Sequence, residues 1–262
     1  THPTSSAASD VYKRQTKLFK RHVYRLGTNK ALVFATQNPI AAPEDRKELA
    51  KAIKNEAELL GHTADGKEIH LYRYQGSSSL LREIGRLREI AFRAVGEGSN
   101  KRRDTDQYDT DYLHLILWDK EDLEIVGAYR LGDASKLLQN KGKKGLYSAS
   151  LFNYDQAMDK YFNEGLELGR SFVQPKYWGK RSLDYLWYGI GAFLMRYPQY
   201  RYLFGPVSLS NSFPKPAKDL LVEFYQRYFG SQENIAVSNS PYRLPKDLQS
   251  GFSGDNYKDD FT

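Results

Sequence analysis

Residues 164–194, EGLELGRSFVQPKYWGKRSLDYLWYGIGAFL, run through a strand, a short basic loop and a helix without pause. Residues 167–173 read as the strand, with Leu168, Phe172 and Val173 apolar and Pro175 closing it. The loop at 176–182 follows, and then Leu183, Leu186, Trp187, Ile190 and Phe193 recur at helical spacing. A helix start leaves about four backbone N–H groups unpaired, and these attract anions. Gly179 lets backbone approach closely, Lys180 and Arg181 add charge, and Ser182 is placed to cap the helix. Together they read as a cradle for a phosphate-bearing group such as pyrophosphate or phosphopantetheine. The alternative is an ordinary strand–turn–helix with solvated basic residues. The strand favours the cradle, because Glu167 and Arg170 lie in an otherwise apolar segment, where burial is costly without a partner or a task.

The rest of the chain supplies a setting for that unit. Residues 1–16 are small, polar and aperiodic, and are expected to be disordered and foreign to the natural sequence, since SSAASDVYKRQ resembles a translated adapter. An N-terminal extension at 17–62 holds a short strand-like run at 31–36 and a helix at 43–60, with Leu49, Ile53, Ala57 and Leu60 on one face. A strand at 68–74 and a helix at 80–95 come next. The polar stretch 96–111 reads as a mobile loop carrying Asp104, Asp106 and Asp109. Strands at 112–118 and 125–131 form a hairpin, and 132–163 shows little regular signal. After the central unit come a strand at 200–207 and a helix from Pro216 with Leu220, Leu221, Phe224 and Tyr228 inward. Residues 231–262 read as a polar tail. This order predicts an α+β domain at 63–230 with a mostly antiparallel sheet and one parallel strand–helix–strand step.

Composition narrows the partners. The chain of 262 residues has no cysteine, which excludes disulfides, thiolate zinc sites and a cysteine nucleophile, and suits a reducing cytoplasm. A net charge of +7 calls for an anionic partner. Twenty tyrosines lie on strands and apolar helix faces as often as beside Lys or Arg, which ranks core and substrate groove above base stacking and makes nucleic acid a poor candidate.

The central segment LGRSFVQPKYWGKRSLDYLWYGIGAFL resembles the acyl-donor-binding segment of the Gcn5-related N-acyltransferase (GNAT) fold. Four further elements narrow the likeness: Arg88 with Phe92, Asp106 with Asp109, Arg130 in GAYRLG, and Glu167 with Arg170 in ELGRS. They occur in the order seen in acyl-homoserine-lactone synthases, and the wording from REIAFR to YRYLFGPVS looks closer to the ornithine-lipid, hemolysin-like N-acyltransferases. The resemblance covers residues 65–230. It implies a GNAT fold and transfer of a fatty acyl group from a phosphopantetheine thioester to an amino-acid amine, as in lyso-ornithine-lipid synthesis. No bound cofactor is implied. The donor is expected on acyl carrier protein rather than coenzyme A, with a small amino-acid acceptor and peripheral contact with the inner membrane. The donor would meet Phe172, Val173, Gly179, Lys180, Arg181 and Ser182. Relatives of this type often continue past a segment like SGDNYKDDF, or carry an O-acyltransferase domain upstream. The chain is therefore expected to be cut short at its C-terminus, with 17–42 a remnant of that domain. An acyl-homoserine-lactone synthase, or a basic module that binds nucleic acid or membrane without catalysis, are the competing readings.

Glu167 is the candidate base, since a carboxylate that accepts the ammonium proton contributes about 10²–10⁴-fold. Arg130 and Arg170 would orient acids or fork onto a substrate carboxylate. The competing reading of Asp106, Asp109, Arg130, Arg170 and Glu167 is a structural ion-pair network. Residues three apart on a strand point to opposite faces, so Glu167 and Arg170 share a face only if the strand bulges, and Gly169 offers the place. His114 and Asp119 have the His-x-x-x-x-Asp spacing of glycerolipid O-acyltransferases, but His114 sits in the apolar run YLHLILW and the match reads as coincidence. The remaining histidines show no metal-ligand spacing, and no metal site is expected.

Overall fold

The hairpin expected around residues 112–131 forms the middle of a six-stranded sheet in a computed structural model of the chain, which describes residues 5–28, 30, 33–34, 37–210, 213–231, 233, 235–246, 248, 251–252 and 256–261. Two units separate at residue 39. The first holds α1 (Ser5–Gly27), after which the Phe34 N–H donates to His22 Nδ1 (3.1 Å). Most of the segment expected to lack structure is thus helical. It has no proline or glycine between Ser5 and Leu26, and Ala, Lys, Arg, Gln and Leu are good helix formers. The strand-like run at 31–36 falls largely outside the described residues.

The second unit carries the sheet, in the order β1 (Ala57–His62), β2 (Glu68–Arg73), β3 (Leu113–Asp119), β4 (Glu124–Asp133), β6 (Gly165–Val173), β7 (Tyr202–Phe204). Neighbours are antiparallel except β6 and β7, which are parallel and joined through α6 (Ser182–Arg196), as the strand–helix–strand reading requires. β3 is buried on both faces, so its apolar run is nearly continuous. Ile116 and Trp118 pack under α2 (Arg46–Glu56) and α3 (Ser79–Ala94), while Leu113, Leu115 and Leu117 meet α6. α3 buries the stripe expected of it, Leu80, Ile84, Leu87 and Ala91.

Several boundaries move. The helix expected over 43–60 starts at Arg46, where Asp45 accepts from the N–H groups of Lys47 (2.9 Å) and Glu48 (3.0 Å), and it ends at Glu56. Ala57 turns extended and begins β1, the sheet edge. Leu60 therefore packs with the α6 cluster and not beside Ile53, so the apparent helical stripe spans two elements on two faces. The compact unit accordingly begins at Ile40 rather than 63. The region 132–163 is not irregular: it holds α4 (Ala134–Lys141), β5 (Phe152–Tyr154) and α5 (Asp159–Asn163) around a core of Tyr112, Leu137, Leu146, Met158 and Phe162. The polar tail contributes β8 (Ala236–Ser238), antiparallel to β5, and a short α8 (Tyr257–Phe261). In α7 (Lys215–Phe229) only Phe224 of the four expected inward residues is buried, and Leu220 and Leu221 are exposed.

Candidate active site

Three elements converge on the α3 face of the sheet. Arg88 comes from α3, Arg130 from β4, and the loop at 104–109 lies between them; both arginines are 1% exposed. Arg88 forks onto Asp109, with Nη1 to Oδ1 at 3.0 Å and Nη2 to Oδ2 at 2.7 Å, and its Nε lies 3.0 Å from Asp104 Oδ2. Arg130 Nη1 donates to Asp106 (2.7 Å) and Asp109 (3.0 Å). Arg170 reaches the same acids at longer range, 3.5 Å to Asp104 and 3.7 Å to Asp106. Three guanidiniums thus face three carboxylates, which is what buried charge demands. Burial pushes the Asp109 carboxyl up, but Arg88 and Arg130 outweigh it and hold the group well below the usual carboxylate range. Since Asp104 and Asp109 are buried, the 96–111 loop is pinned there by charge and is not a free polar excursion.

Tyrosines enclose this cluster. The Arg130 guanidinium lies 5.7, 5.0 and 5.3 Å from the ring centres of Tyr108, Tyr112 and Tyr147, and Arg170 lies 5.2 Å from Tyr147 and 5.9 Å from Phe92. Glu167 sits beside them, 1% exposed. One carboxylate oxygen accepts from the Ser148 N–H (2.6 Å); the other accepts from the Tyr147 N–H (3.2 Å) and the Tyr112 hydroxyl. Burial first, and then the adjacent Glu167 charge, raise the Tyr112 phenol far above its ordinary value, so it stays a proton donor. Gly132 lies opposite Glu167 in the ladder, and a Cβ there would stand 2.4 Å from the Tyr112 ring. The glycine is what lets Tyr112 lie across the sheet to reach the carboxylate.

The bulge expected in β6 exists, one residue later than anticipated. Ala128 pairs with Phe172 and Arg130 with Gly169, leaving Tyr129 opposite both Arg170 and Ser171. Arg170 itself takes the left-handed conformation, φ 52°, a strain of about 1–3 kcal/mol for a non-glycine residue. That twist returns its side chain to the face of Glu167, where the aspartates hold it.

Beyond Phe204, β7 ends while β6 runs on to Val173, and an opening of about 440 Å³ forms between them, lined by Phe92, Glu97, Tyr147, Arg170, Ser171 and Ser208 among others. Glu167 does not line it. A second hollow of about 380 Å³, walled by Phe172, Val173, Gly179, Lys180 and Ser182, also touches Ser171, so the two are neighbours along β6. Gly179 adopts φ 73° there. The first turn of α6 has no side-chain cap: Ser182 is buried but does not close it, and Arg181 occupies the cap position without capping. Arg181 instead donates to the Tyr188 hydroxyl (3.1 Å) and lies 3.8 Å from Asp184, outside the hollow. Lys180 lies over the Tyr177 ring (5.3 Å).

The His114–Asp119 spacing forms no dyad. The two project from opposite faces of β3; His114 Nε2 donates to the Asp109 carbonyl (2.8 Å), and Asp119 accepts from the N–H groups of Glu121 and Asp122. Burial lowers the His114 pKa to about 4, keeping it neutral. Among the described residues no cluster is arranged to hold a metal ion. No helix among them is long and apolar enough to cross a membrane.

Of the residues expected from sequence, Arg88, Asp106, Asp109, Arg130 and Arg170 come together as one network, with Phe92 at its edge. The five donor-site residues other than Arg181 share the second hollow. Tyr112, Tyr147, Ser148, Glu97 and Ser208 were not anticipated. For Tyr112 a signal existed, since a glycine within GAYRLGD, a strand otherwise free to carry side chains, marks a close approach.

The profile of the acetyltransferase (GNAT) domain matches residues 87–188, a span that holds the whole network and the hollow at α6. The glycine N(alpha)-acyltransferase of Phocaeicola vulgatus is 35% identical over 232 residues, 82% of this chain and 71% of the relative. That of Bacteroides thetaiotaomicron is 35% identical over 231 residues, 82% and 68%. The L-ornithine N(alpha)-acyltransferase of Brucella abortus is 31% identical over 204 residues, 66% and 70%. No solved structure is significantly similar. The chain belongs to the GNAT N-acyltransferases of the ornithine-lipid type, enzymes that acylate the amine of an amino acid.

Proposed function

We propose that the protein transfers a fatty acyl group from the phosphopantetheine arm of acyl carrier protein to the amine of glycine. The observation that carries this reading is the pair of adjoining hollows along β6. The uncapped N–H groups of α6, with Lys180 beside them, suit the arm's phosphate. The β6 edge beyond β7 suits an arm that hydrogen-bonds like an added strand, bringing the thioester to Arg170 and Tyr147. Glycine is favoured over ornithine because the glycine-named relatives match 82% of the chain, against 66% for the ornithine-named enzyme of Brucella abortus.

A carrier protein is acidic, and the +7 chain would steer it. Lys180 and Arg181 are the exposed charges for docking, whereas Lys176 is already paired with Glu124 and Asp122. Exposed Trp178, Leu183 and Trp187 beside them fit peripheral contact with the membrane that receives the product. Glu167 acts through what it holds: it fixes the 147–148 backbone and Tyr112, and so the aromatic wall against which both arginines rest. It is a positioning residue in this reading rather than the base.

Mass spectrometry of products from the purified protein given glycine or ornithine, with acyl carrier protein or coenzyme A thioesters of equal chain length, tests the proposal. Acylglycine formed preferentially from the carrier thioester, with an apparent KM that rises with salt, is expected. Coenzyme A thioesters equal or better at every salt concentration would remove the carrier, and a higher kcat/KM for ornithine would remove glycine.

A further inference from the structure

We infer that Glu97 and Arg170 bind the acceptor as a zwitterion across the β6–β7 opening, and that Glu97 takes the ammonium proton. This rests on the transferase reading above and assigns the acceptor's two ends. A free amino acid brings one cation and one anion, and the opening is walled by one residue of each sign, Glu97 and Arg170. The rest of the wall is aromatic or aliphatic except for Ser171, Ser208 and the backbone of Gly169, so an unpaired charge finds no other counter-ion there.

Both groups have capacity to spare. Arg170 holds Asp104 and Asp106 only at 3.5 and 3.7 Å, against 2.7–3.0 Å for the contacts of Arg88 and Arg130 to Asp106 and Asp109, and its Nε has no hydrogen-bond partner. Glu97 accepts from the Ser208 hydroxyl (3.0 Å) and pairs with no Lys or Arg among the described residues. Glu167, by contrast, has both oxygens filled and does not line the opening. The charged and titratable groups around Glu97 are Arg170, Tyr129 and Tyr147 across the opening and Arg93 on the last turn of α3, the last already paired with Glu89 (2.6 Å). The 205–210 segment that meets Glu97 carries no charge.

The step balances without another reactant. The acceptor carboxylate sits on the Arg170 guanidinium. One ammonium proton passes to the Glu97 carboxylate and then to water. The nitrogen lone pair forms the N–C bond to the thioester carbonyl, the C–S bond breaks, and its electron pair leaves on sulfur. A second proton moves from nitrogen to that sulfur, giving the thiol, and the third stays on the amide.

The test compares kcat/KM for glycine and for aminoacetonitrile, whose amine is neutral at assay pH and which has no carboxylate, using one acyl thioester. Glu97→Gln should lose at least about 100-fold with glycine. The loss should shrink as pH rises toward the glycine amine pKa, and with aminoacetonitrile the gap to wild type should close to within about threefold. Arg170→Gln should raise KM for glycine and leave that for aminoacetonitrile near the wild-type value. Ser208→Ala removes the hydrogen bond between the two loops but keeps the carboxylate. If it loses as much as Glu97→Gln, the effect belongs to the loop contact and the inference falls. It falls too if Glu97→Gln acylates glycine within about threefold of wild type with an unchanged pH profile. A wild-type protein that acylates no amine from any thioester sinks the transferase reading itself, a separate result.

Discussion

Arg88 and Arg130 on one side and Lys180 and Arg181 on the other are basic residues of one chain put to opposite uses. The first pair is buried, each cation held by aspartates, with tyrosine rings around Arg130 as well. Their charge is spent inside the protein, where it fixes a loop against a helix and a sheet. The second pair stands exposed at the uncapped start of α6, where Lys180 lines the hollow and Arg181, outside it, keeps only the Tyr188 hydroxyl and a 3.8 Å contact with Asp184. Sequence pattern alone marks both as important. Only burial separates a residue that organises a site from one that faces a substrate, and substitutions should separate them in the same way.

The largest effect is expected inside. Asp109→Ala leaves Arg88 and Arg130 without their shared acceptor and should cost about 3–5 kcal/mol in urea unfolding. A loss under about 1 kcal/mol would mean that solvent enters the cluster and that the contrast is false. Next is acid. His114 binds its proton near pH 6.5 when unfolded and near pH 4 when folded, so the unfolded state takes up protons first and stability falls as pH drops from about 6.5 to about 4. At about 1.4 kcal/mol per unit the loss approaches ~3 kcal/mol. Asp109, held low by its arginines, adds a further loss only at more acid pH. His114→Asn should flatten the upper part of that slope, and an unchanged slope would remove His114 as its cause.

Between inside and outside lies Glu167. Glu167→Gln keeps the shape but turns an acceptor into a mixed group facing three donors, costing about 1–3 kcal/mol. Turnover should fall without recovery at high pH. Recovery as free amine accumulates would return Glu167 to the role of base. The smallest change in stability is expected at the rim. Lys180→Glu should leave unfolding within about 0.5 kcal/mol of wild type while raising the apparent KM for the acyl donor about tenfold and not that for the acceptor. Equal effects on both substrates would move the donor site elsewhere.

Five of the six strands in the main sheet were legible because they alternate or run apolar over lengths that only strands use, whereas β1 was read as the end of a helix. The parallel step was legible because a strand, a helix and a strand follow one another. The charged network was legible as a set, since such residues in apolar strands need partners. What stayed hidden depended on distance in space. Leu60 continued a helical stripe by period, yet it falls in β1, where the pairing with β2 skips it between Leu59 and Gly61 and it packs toward α6. Gly169 looked like the bulge, but contacts from Asp104 and Asp106 stabilise the strained conformation at Arg170 instead. Glu97 stood among polar residues with nothing to set it apart until the 205–210 segment folded against it.

The β5–β8 ribbon gives the molecule an order of assembly. Asn239 bonds back across the sequence to Leu151 and Ser150, and to Asn153 at a separation of 86 residues. The turn it steadies contains Tyr147 and Ser148, which hold Glu167, and Leu151, which lines the opening. A ribosome releases every member of the arginine–aspartate network well before it releases residue 236. A nascent chain can therefore settle its ion pairs early. Closure of the wall around the β6–β7 opening comes later, when the segment at 236–239 arrives to clasp a loop made some ninety residues earlier.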